Sequence, residues 1–258
     1  MSSKIDRQTE ILRLVHAEGK VLVTTLAEIF KVSTVLIRKD LYTLVSLGLM
    51  SRCYGGAIVL SNLARVLKSH EAKVIDENDN RLALAAVNTI SNGDSLILAS
   101  SDISECISDN LYSHKKLKVL TNNLKVVTNL AVVNDIEIMI TGGKLRKKSQ
   151  SLFGRQAENT LNKLHFDKVI LHVDNFDLSV GISTNFAQKA TLEELMCEKS
   201  SEIIVICKSL NFGKSSCHVI RSNRKISTMI TDSNINKDQI ESVEKSGIKL
   251  IITDLPVL

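Results

Sequence analysis

From Arg81 to Thr253 short apolar runs and amphipathic segments take turns, and this alternation restricts the fold more than any other feature of the chain. Helices are predicted over Leu82–Ile90, Ile103–Leu111, Leu124–Val133, Leu152–Leu164, Leu192–Ser200 and Lys237–Ser246. Strands are predicted over Ser95–Ala99, Leu117–Thr121, Ile136–Thr141, Lys168–Val173, Ile203–Cys207, Ile226–Thr231 and Ile248–Thr253. Strand-length apolar runs separated by helices make a mainly parallel sheet with helices wound on both faces, an α/β domain. Such sheets hold small molecules at the carboxyl ends of their strands, so the loops after the strands are the place to seek a ligand.

The first 60 residues follow another rule. Ile11, Leu12 and Val15 put an apolar stripe on a helix over residues 5–17, closed at Glu18-Gly19. Leu26, Ala27 and Phe30 mark a short second helix. Ser33 is then placed to cap a third, whose Ile37, Leu41 and Leu44 share one face. At 100° per residue Val35, Arg38, Lys39 and Tyr42 fall on the opposite face, beside Thr34. This is helix-turn-helix geometry, with the start of the last helix meeting base edges. Gly48 ends that helix, and Leu49–Cys53 and Ala57–Leu60 flank Tyr54-Gly55-Gly56 as a hairpin wing. Residues 61–79 lose periodicity and end in the polar run Asp76 to Asn80, which reads as the end of a linker. The expected organisation is therefore 1–60, a linker 61–79, and 80–258.

Charge and composition narrow the partners. The net charge is +5, and residues 1–60 alone hold eight Lys/Arg against five acids. A basic surplus in that segment suits phosphate contacts. Aromatic residues make up only 3%, without tryptophan, which disfavours stacking on single strands and favours duplex DNA over RNA. The five cysteines (Cys53, Cys106, Cys197, Cys207, Cys217) are scattered, so neither a disulfide framework nor a zinc site is expected, and a reducing cytoplasm is. No apolar run approaches the roughly 20 residues that span a bilayer, and the N-terminus lacks the apolar core of a signal peptide. No metal, cofactor or membrane partner is expected.

Val23, Leu26, Ala27, Phe30, Val32, Ser33, Ile37, Arg38, Asp40, Leu41, Leu44, Gly48, Arg52, Gly55, Gly56 and Ala57 together resemble the N-terminal winged helix-turn-helix of the DeoR family of bacterial transcription regulators. One position departs: Leu36 stands where the family usually has threonine. The resemblance implies sequence-specific duplex binding through Ser33, Thr34, Val35, Arg38, Lys39 and Tyr42. Arg52, Tyr54, Gly55 and Gly56 would then touch backbone or minor groove. One such module buries too little surface for a discriminating site, so a homo-oligomer, dimer or tetramer, on repeated half-sites is expected.

The resemblance runs from about residue 6 to residue 254. In the family the second domain looks like the sugar-phosphate isomerase fold and senses a phosphorylated sugar rather than converting one. Thr121-Asn122, Thr141 to Arg146 (with Gly142, Gly143, Lys144 and Arg146), Ser151 to Gly154, Val173-Asp174 with Asp177, and Gly181 to Thr184 match family segments. With Phe166-Asp167 the pattern lies nearest repressors of hexitol and amino-sugar operons. Three places depart. The first phosphate loop reads Ala99-Ser100-Ser101-Asp102, with a serine for the usual glycine and a carboxylate where a phosphate would sit. Asn211 replaces a lysine and Lys208 an acid. Lys189 also replaces an acid. These changes leave two readings of the second domain. Either its site takes another ligand, one carrying a cation or lacking a phosphate, or it no longer binds an effector and only assembles oligomers.

A sugar-phosphate isomerase or deaminase is the rival of another class, with Asp102, Asp174 and Asp177 as the available carboxylates. No catalytic residue is assigned: His172 lies in an apolar strand and reads as a core histidine, and Cys207 as a small buried hydrophobe. An architectural DNA-binding protein without sequence preference would need more cations than Arg38 and Lys39 supply. The sequence thus points to a transcription regulator, with repression of a carbohydrate operon as the family's habit.

Overall fold

The computed structural model describes residues 4–46, 49–53, 55–59, 76–220 and 225–253. The chain divides into two compact units, residues 1–74 with 128–133 and residues 75–127 with 134–258.

In the first unit α1 (Lys4–Glu18) leads to β1 (Lys20–Leu22), α2 (Val23–Phe30), α3 (Thr34–Ser46), β2 (Met50–Cys53) and β3 (Gly56–Val59). The expected stripes become one core of Ile11, Val15, Leu26, Ile37, Leu41, Leu44 and Met50. Burying side chains of this size stabilises by ~1.5–3 kcal/mol each. The α2–α3 turn is made at Lys31, in the left-handed region at φ 53, where its N–H closes on the carbonyls of Ala27 and Glu28. Ser33 then caps α3, its Oγ accepting from the Leu36 N–H at 3.3 Å. The small sheet is antiparallel in the order β1-β3-β2, so the hairpin is anchored by a third strand that sequence periodicity does not reveal. Gly48, Tyr54 and the expected linker as far as residue 75 lie outside the described residues.

The second unit opens with α4 (Glu77–Val87). The polar run expected as the linker's end is the first turn of this helix, with Asp76 as its cap accepting from the Asn78 N–H. Carboxylates at a helix start answer its unpaired N–H groups, which is why an acidic, polar segment is helical here. Then come β4 (Ser95–Leu98), α5 (Asp102–Ser108), β5 (Leu117–Thr121), α6 (Leu124–Leu130, whose residues from 128 on belong to the first unit), β6 (Ile136–Ile140), the hairpin β7 (Lys144–Arg146) and β8 (Ser151–Phe153), and α7 (Arg155–Leu161). After them follow β9 (Phe166–His172), β10 (Asn175–Asp177), β11 (Gly181–Thr184), α8 (Ala187–Glu198), β12 (Ser200–Ile206), β13 (His218–Ile220), β14 (Thr228–Asp232), α9 (Lys237–Lys245) and β15 (Lys249–Thr253). The helix expected from Leu152 starts only at Arg155. Residues 152 and 153 pair with β7 instead, and Gly154, at φ 101, turns the chain into α7.

Seven strands form one fully parallel sheet in the order β15-β14-β12-β9-β4-β5-β6. Ala157 and Leu161 of α7, Met196 and Cys197 of α8 and Val243 of α9 pack on the face bearing Val169, Leu171, Ile203 and Val205. Helices α4 and α5 lie against the strands on the other face. The α/β, doubly wound expectation holds. Strand order reverses between β4 and β9, so the carboxyl ends of these two strands are where an open α/β sheet of this kind would hold a ligand.

Candidate functional site

On α3 the residues that pack and the residues that face solvent separate cleanly. Ile37, Asp40, Leu41 and Leu44 are buried. Ser33, Thr34, Arg38 and Lys39 are exposed, Val35 is 70% exposed and Tyr42 63% exposed. The expected reading face is therefore one continuous strip on a helix held from behind. Its anchor is a residue that periodicity does not single out. Asp40 is buried and takes Arg7 Nε of α1 at 2.6 Å and Gln8 Nε2 at 2.9 Å. A buried carboxylate held by two donors fixes the rotation of α3 about its own axis. The charge itself was the available signal, since a carboxylate on the apolar side of a helix needs a partner.

Of the wing residues, Gly55 is exposed at φ 74. Gly56 is buried, and a Cβ there would lie 1.8 Å from the Val21 carbonyl oxygen. Its lack of a side chain lets β3 approach β1. Arg52 lies in β2, where its backbone pairs with Ala57, and Tyr54 lies outside the described residues.

In the second unit the expected ligand loops gather at the carboxyl ends of the strands. Ser101 is extended at φ −163, so the serine in place of glycine imposes no backbone strain, contrary to what the substitution suggests. Its hydroxyl caps α5, accepting from the Ser104 N–H at 3.0 Å, and Asp102 is the exposed first residue of that helix. Thr121 and Asn122 are both engaged in hydrogen bonds within the fold. Thr121 Oγ1 donates to the Leu98 carbonyl at 2.7 Å and accepts from the Asn123 N–H. Asn122 is buried, accepts from the Ser100 N–H at 2.9 Å and donates to the Leu152 carbonyl at 3.2 Å. Thr121 thus joins β5 to β4, and Asn122 joins the loop after β4 to β8.

Gly142 and Gly143 have φ of 70 and 114, and a Cβ on Gly143 would meet the Phe153 carbonyl oxygen at 2.6 Å. These glycines let the loop after β6 cross the hairpin that carries Lys144 and Arg146. Both cations are exposed, the Arg146 guanidinium lying 4.4 Å from the centre of the Phe186 ring. Asn211 is half-buried in a single 3-10 turn, Ser209–Asn211.

After β9 the chemistry is denser. Asp174 accepts from Thr184 Oγ1 and, at 2.7 Å, from Lys189 Nζ, which also lies 3.9 Å from Glu193. Its partners Lys189 and Thr184 hold Asp174 below the usual carboxylate range against the opposing effect of burial. Burial pushes Glu193 up to about 7, opposed by Lys189. Lys208, in the loop after β12, meets Asp79 at 2.5 Å and Asp76 at 3.8 Å. His172 ends β9 with its Nε2 buried and without a hydrogen-bond partner. Burial, with Lys189 and Lys208 adding to it, lowers its pKa to about 4, so the ring is neutral near pH 7. The ring is buried as expected of a core histidine, but the expected satisfaction of its Nε2 is not met. Cys207 is buried, and its thiol is pushed up to about 12 by that burial, as expected of a packing residue. Among the described residues no His, Cys, Asp or Glu group is arranged to hold a metal ion. Among them, too, no helix is long and apolar enough to cross a membrane.

Known proteins match both units. The DeoR-like helix-turn-helix domain matches residues 7–62, and the DeoR C terminal sensor domain matches residues 76–233. A protein of Escherichia coli O157:H7, provisionally named the aga operon transcriptional repressor, is 35% identical over 253 residues, covering 96% of this chain and 93% of its own. The glycerol-3-phosphate regulon repressor of Escherichia coli K12 is 26% identical over 226 residues, covering 88% and 90%. Among solved structures, ribose 5 phosphate isomerase A from Neisseria gonorrhoeae aligns with 55% of this chain and 55% of its own, at 13% identity and a TM-score of 0.40. With a recognition helix presented by one unit and a sensor-type α/β sheet in the other, the chain belongs to the DeoR family of helix-turn-helix, DNA-binding transcription regulators.

Proposed function

We propose that this regulator represses a carbohydrate-utilisation operon. In this reading α3 enters the major groove, and the carboxyl ends of β4 and β9 hold a sugar-derived effector whose binding changes affinity for the operator. The observation that carries the reading is the exposed strip Thr34, Val35, Arg38, Lys39 and Tyr42 on a helix whose other side is buried and locked by Asp40. Arg38 suits bidentate contact with guanine, Thr34 and Val35 suit apolar contact with thymine, and Lys39 suits a phosphate. The relatives that carry operon or regulon repressor in their names support the direction of control. The protein acts in the cytoplasm as a homo-oligomer on repeated half-sites and carries out no reaction on the sugar.

The test is a gel-shift titration of the full chain on DNA from upstream of its own gene and of neighbouring sugar-utilisation genes. Random duplex of equal length at fixed salt is the competitor. A preference of at least about a thousandfold for one fragment is expected for a specific regulator; equal affinity for all fragments refutes the reading. Turnover of hexose phosphates by the same preparation would refute its non-catalytic part.

A further inference from the structure

Between Glu137 and Glu158 the chain holds no acid, and four of the five residues from 144 to 148 are cations: Lys144, Arg146, Lys147 and Lys148. Outside this run and residues 1–60 the chain carries more acids than bases. The run forms β7 and the turn that leads into β8, and each of its five residues is exposed. Among the described residues Lys144, Lys147 and Lys148 have no ion-pair partner, although carboxylates elsewhere in the second unit hold Lys125, Lys168, Lys189 and Lys208. Arg146 is set apart, its guanidinium lying over the Phe186 ring and its charge acting on Lys189.

The three lysines stand on a fixed frame. β7 pairs with β8 from Lys144 opposite Phe153 to Arg146 opposite Ser151. The Gln150 N–H closes the turn on the Lys147 carbonyl at 3.4 Å. The Leu124 N–H donates to the Gln150 carbonyl at 2.9 Å, and the Leu152 N–H to the Asn122 carbonyl at 2.7 Å. These bonds tie the hairpin to the start of α6 and the end of β5. Gathering unpaired like charges on one rigid hairpin costs stability unless an anion answers them.

Exposure narrows the choice of anion. Lysines on an open turn do not enclose a small ion, whereas duplex DNA offers a phosphate for about every 1.7 Å of its axis and needs no pocket. Lysine meets phosphate as a point charge and reads no sequence in doing so. The chain belongs to a DNA-binding family, so a duplex is the polyanion it encounters. We propose that the β7–β8 hairpin is a second DNA-binding surface, on which Lys144, Lys147 and Lys148 contact the phosphate backbone. It adds affinity for duplex of any sequence.

The experiment compares the full chain with the triple variant Lys144→Gln, Lys147→Gln, Lys148→Gln in gel-shift titrations at several salt concentrations. Both random duplex and any preferred promoter fragment are used. Three lost phosphate contacts should lower the slope of log affinity against log salt by about 2–3 for each hairpin engaged, on both kinds of DNA. A control triple, Lys163→Gln, Lys214→Gln and Lys237→Gln, removes the same charge from exposed positions elsewhere in the second unit. Its slope should change by less than about 1. An unchanged slope in the hairpin variant overturns the inference. An equal fall in the control overturns it as well, by assigning the effect to overall charge. Loss of binding to anionic phospholipid vesicles by the hairpin variant, with its DNA slope intact, also overturns it and assigns the surface to a membrane. A wild-type chain that prefers no promoter sinks the regulator reading alone, because phosphate contacts are still scored on random duplex.

Discussion

Arg7 Nε and Asp40 Oδ2 meet at 2.6 Å, both side chains buried, and so join α1 to α3, the helix that carries the exposed strip. Removing one partner strands a desolvated charge. Asp40→Ala and Arg7→Ala should each destabilise the N-terminal unit by about 3–5 kcal/mol, whereas Arg7→Met with Asp40→Leu should cost far less. Urea unfolding of the three variants checks this. Equal losses for the single and double variants would show that the pair is not coupled.

Arg38 and Lys39 are exposed neighbours on α3 to which the proposed reading gives different tasks. Arg38→Ala should lose about 1–3 kcal/mol of operator affinity and relax the preference at one base pair. Lys39→Ala should weaken all duplexes alike and lower the slope of log affinity against log salt by about 1. Titrations at several salt concentrations on operator and scrambled DNA separate the two effects.

Gly56→Ala should destabilise the wing by more than about 1 kcal/mol, because its Cβ would press on the Val21 carbonyl at 1.8 Å and force β3 from β1. Gly55→Ala meets only the end of the Leu22 side chain and bears just the penalty of φ 74. Hydrogen exchange of the β1–β3 amides should rise in the first variant and stay near wild type in the second.

His172 gives the second unit a definite pH response. Its folded pKa of about 4 lies below the ordinary 6.5, so the unfolded chain takes up the proton first as acid is added. The contribution of the neutral ring is complete above pH 6.5 and is lost as pH falls through about 4. Replacing it with phenylalanine should flatten the stability profile in that window by up to ~1.4 kcal/mol per pH unit. Parallel slopes for wild type and His172→Phe would refute a buried neutral imidazole.

Periodicity discloses long features and hides short ones. The seven strands of the main sheet and the stripes of α1, α2 and α3 are legible because burial repeats at the period of the element. β1, β7, β8, β10 and β13 have three residues each and leave no period to read. The start of α4 was misread because capping rewards the same acidic and amide residues that loops favour. Ser101 shows the limit of reading a substitution alone, since extended backbone is open to any residue. The orphaned nitrogen of His172 is a matter of three-dimensional packing that no local motif announces.

The middle of the main sheet pairs Leu96 with Lys168, so β4 must wait for β9 while all the residues between them are made. Among the described residues of the N-terminal unit the farthest strand pairing, Lys20 with Ile58, spans a much shorter stretch. On a ribosome adding about 5–20 residues per second, the DNA-reading module is complete while the sensor still lacks its central strand. A growing chain therefore finishes the fold of its helix-turn-helix unit before the sheet of the second unit can close, so the two units need not wait for one another to fold.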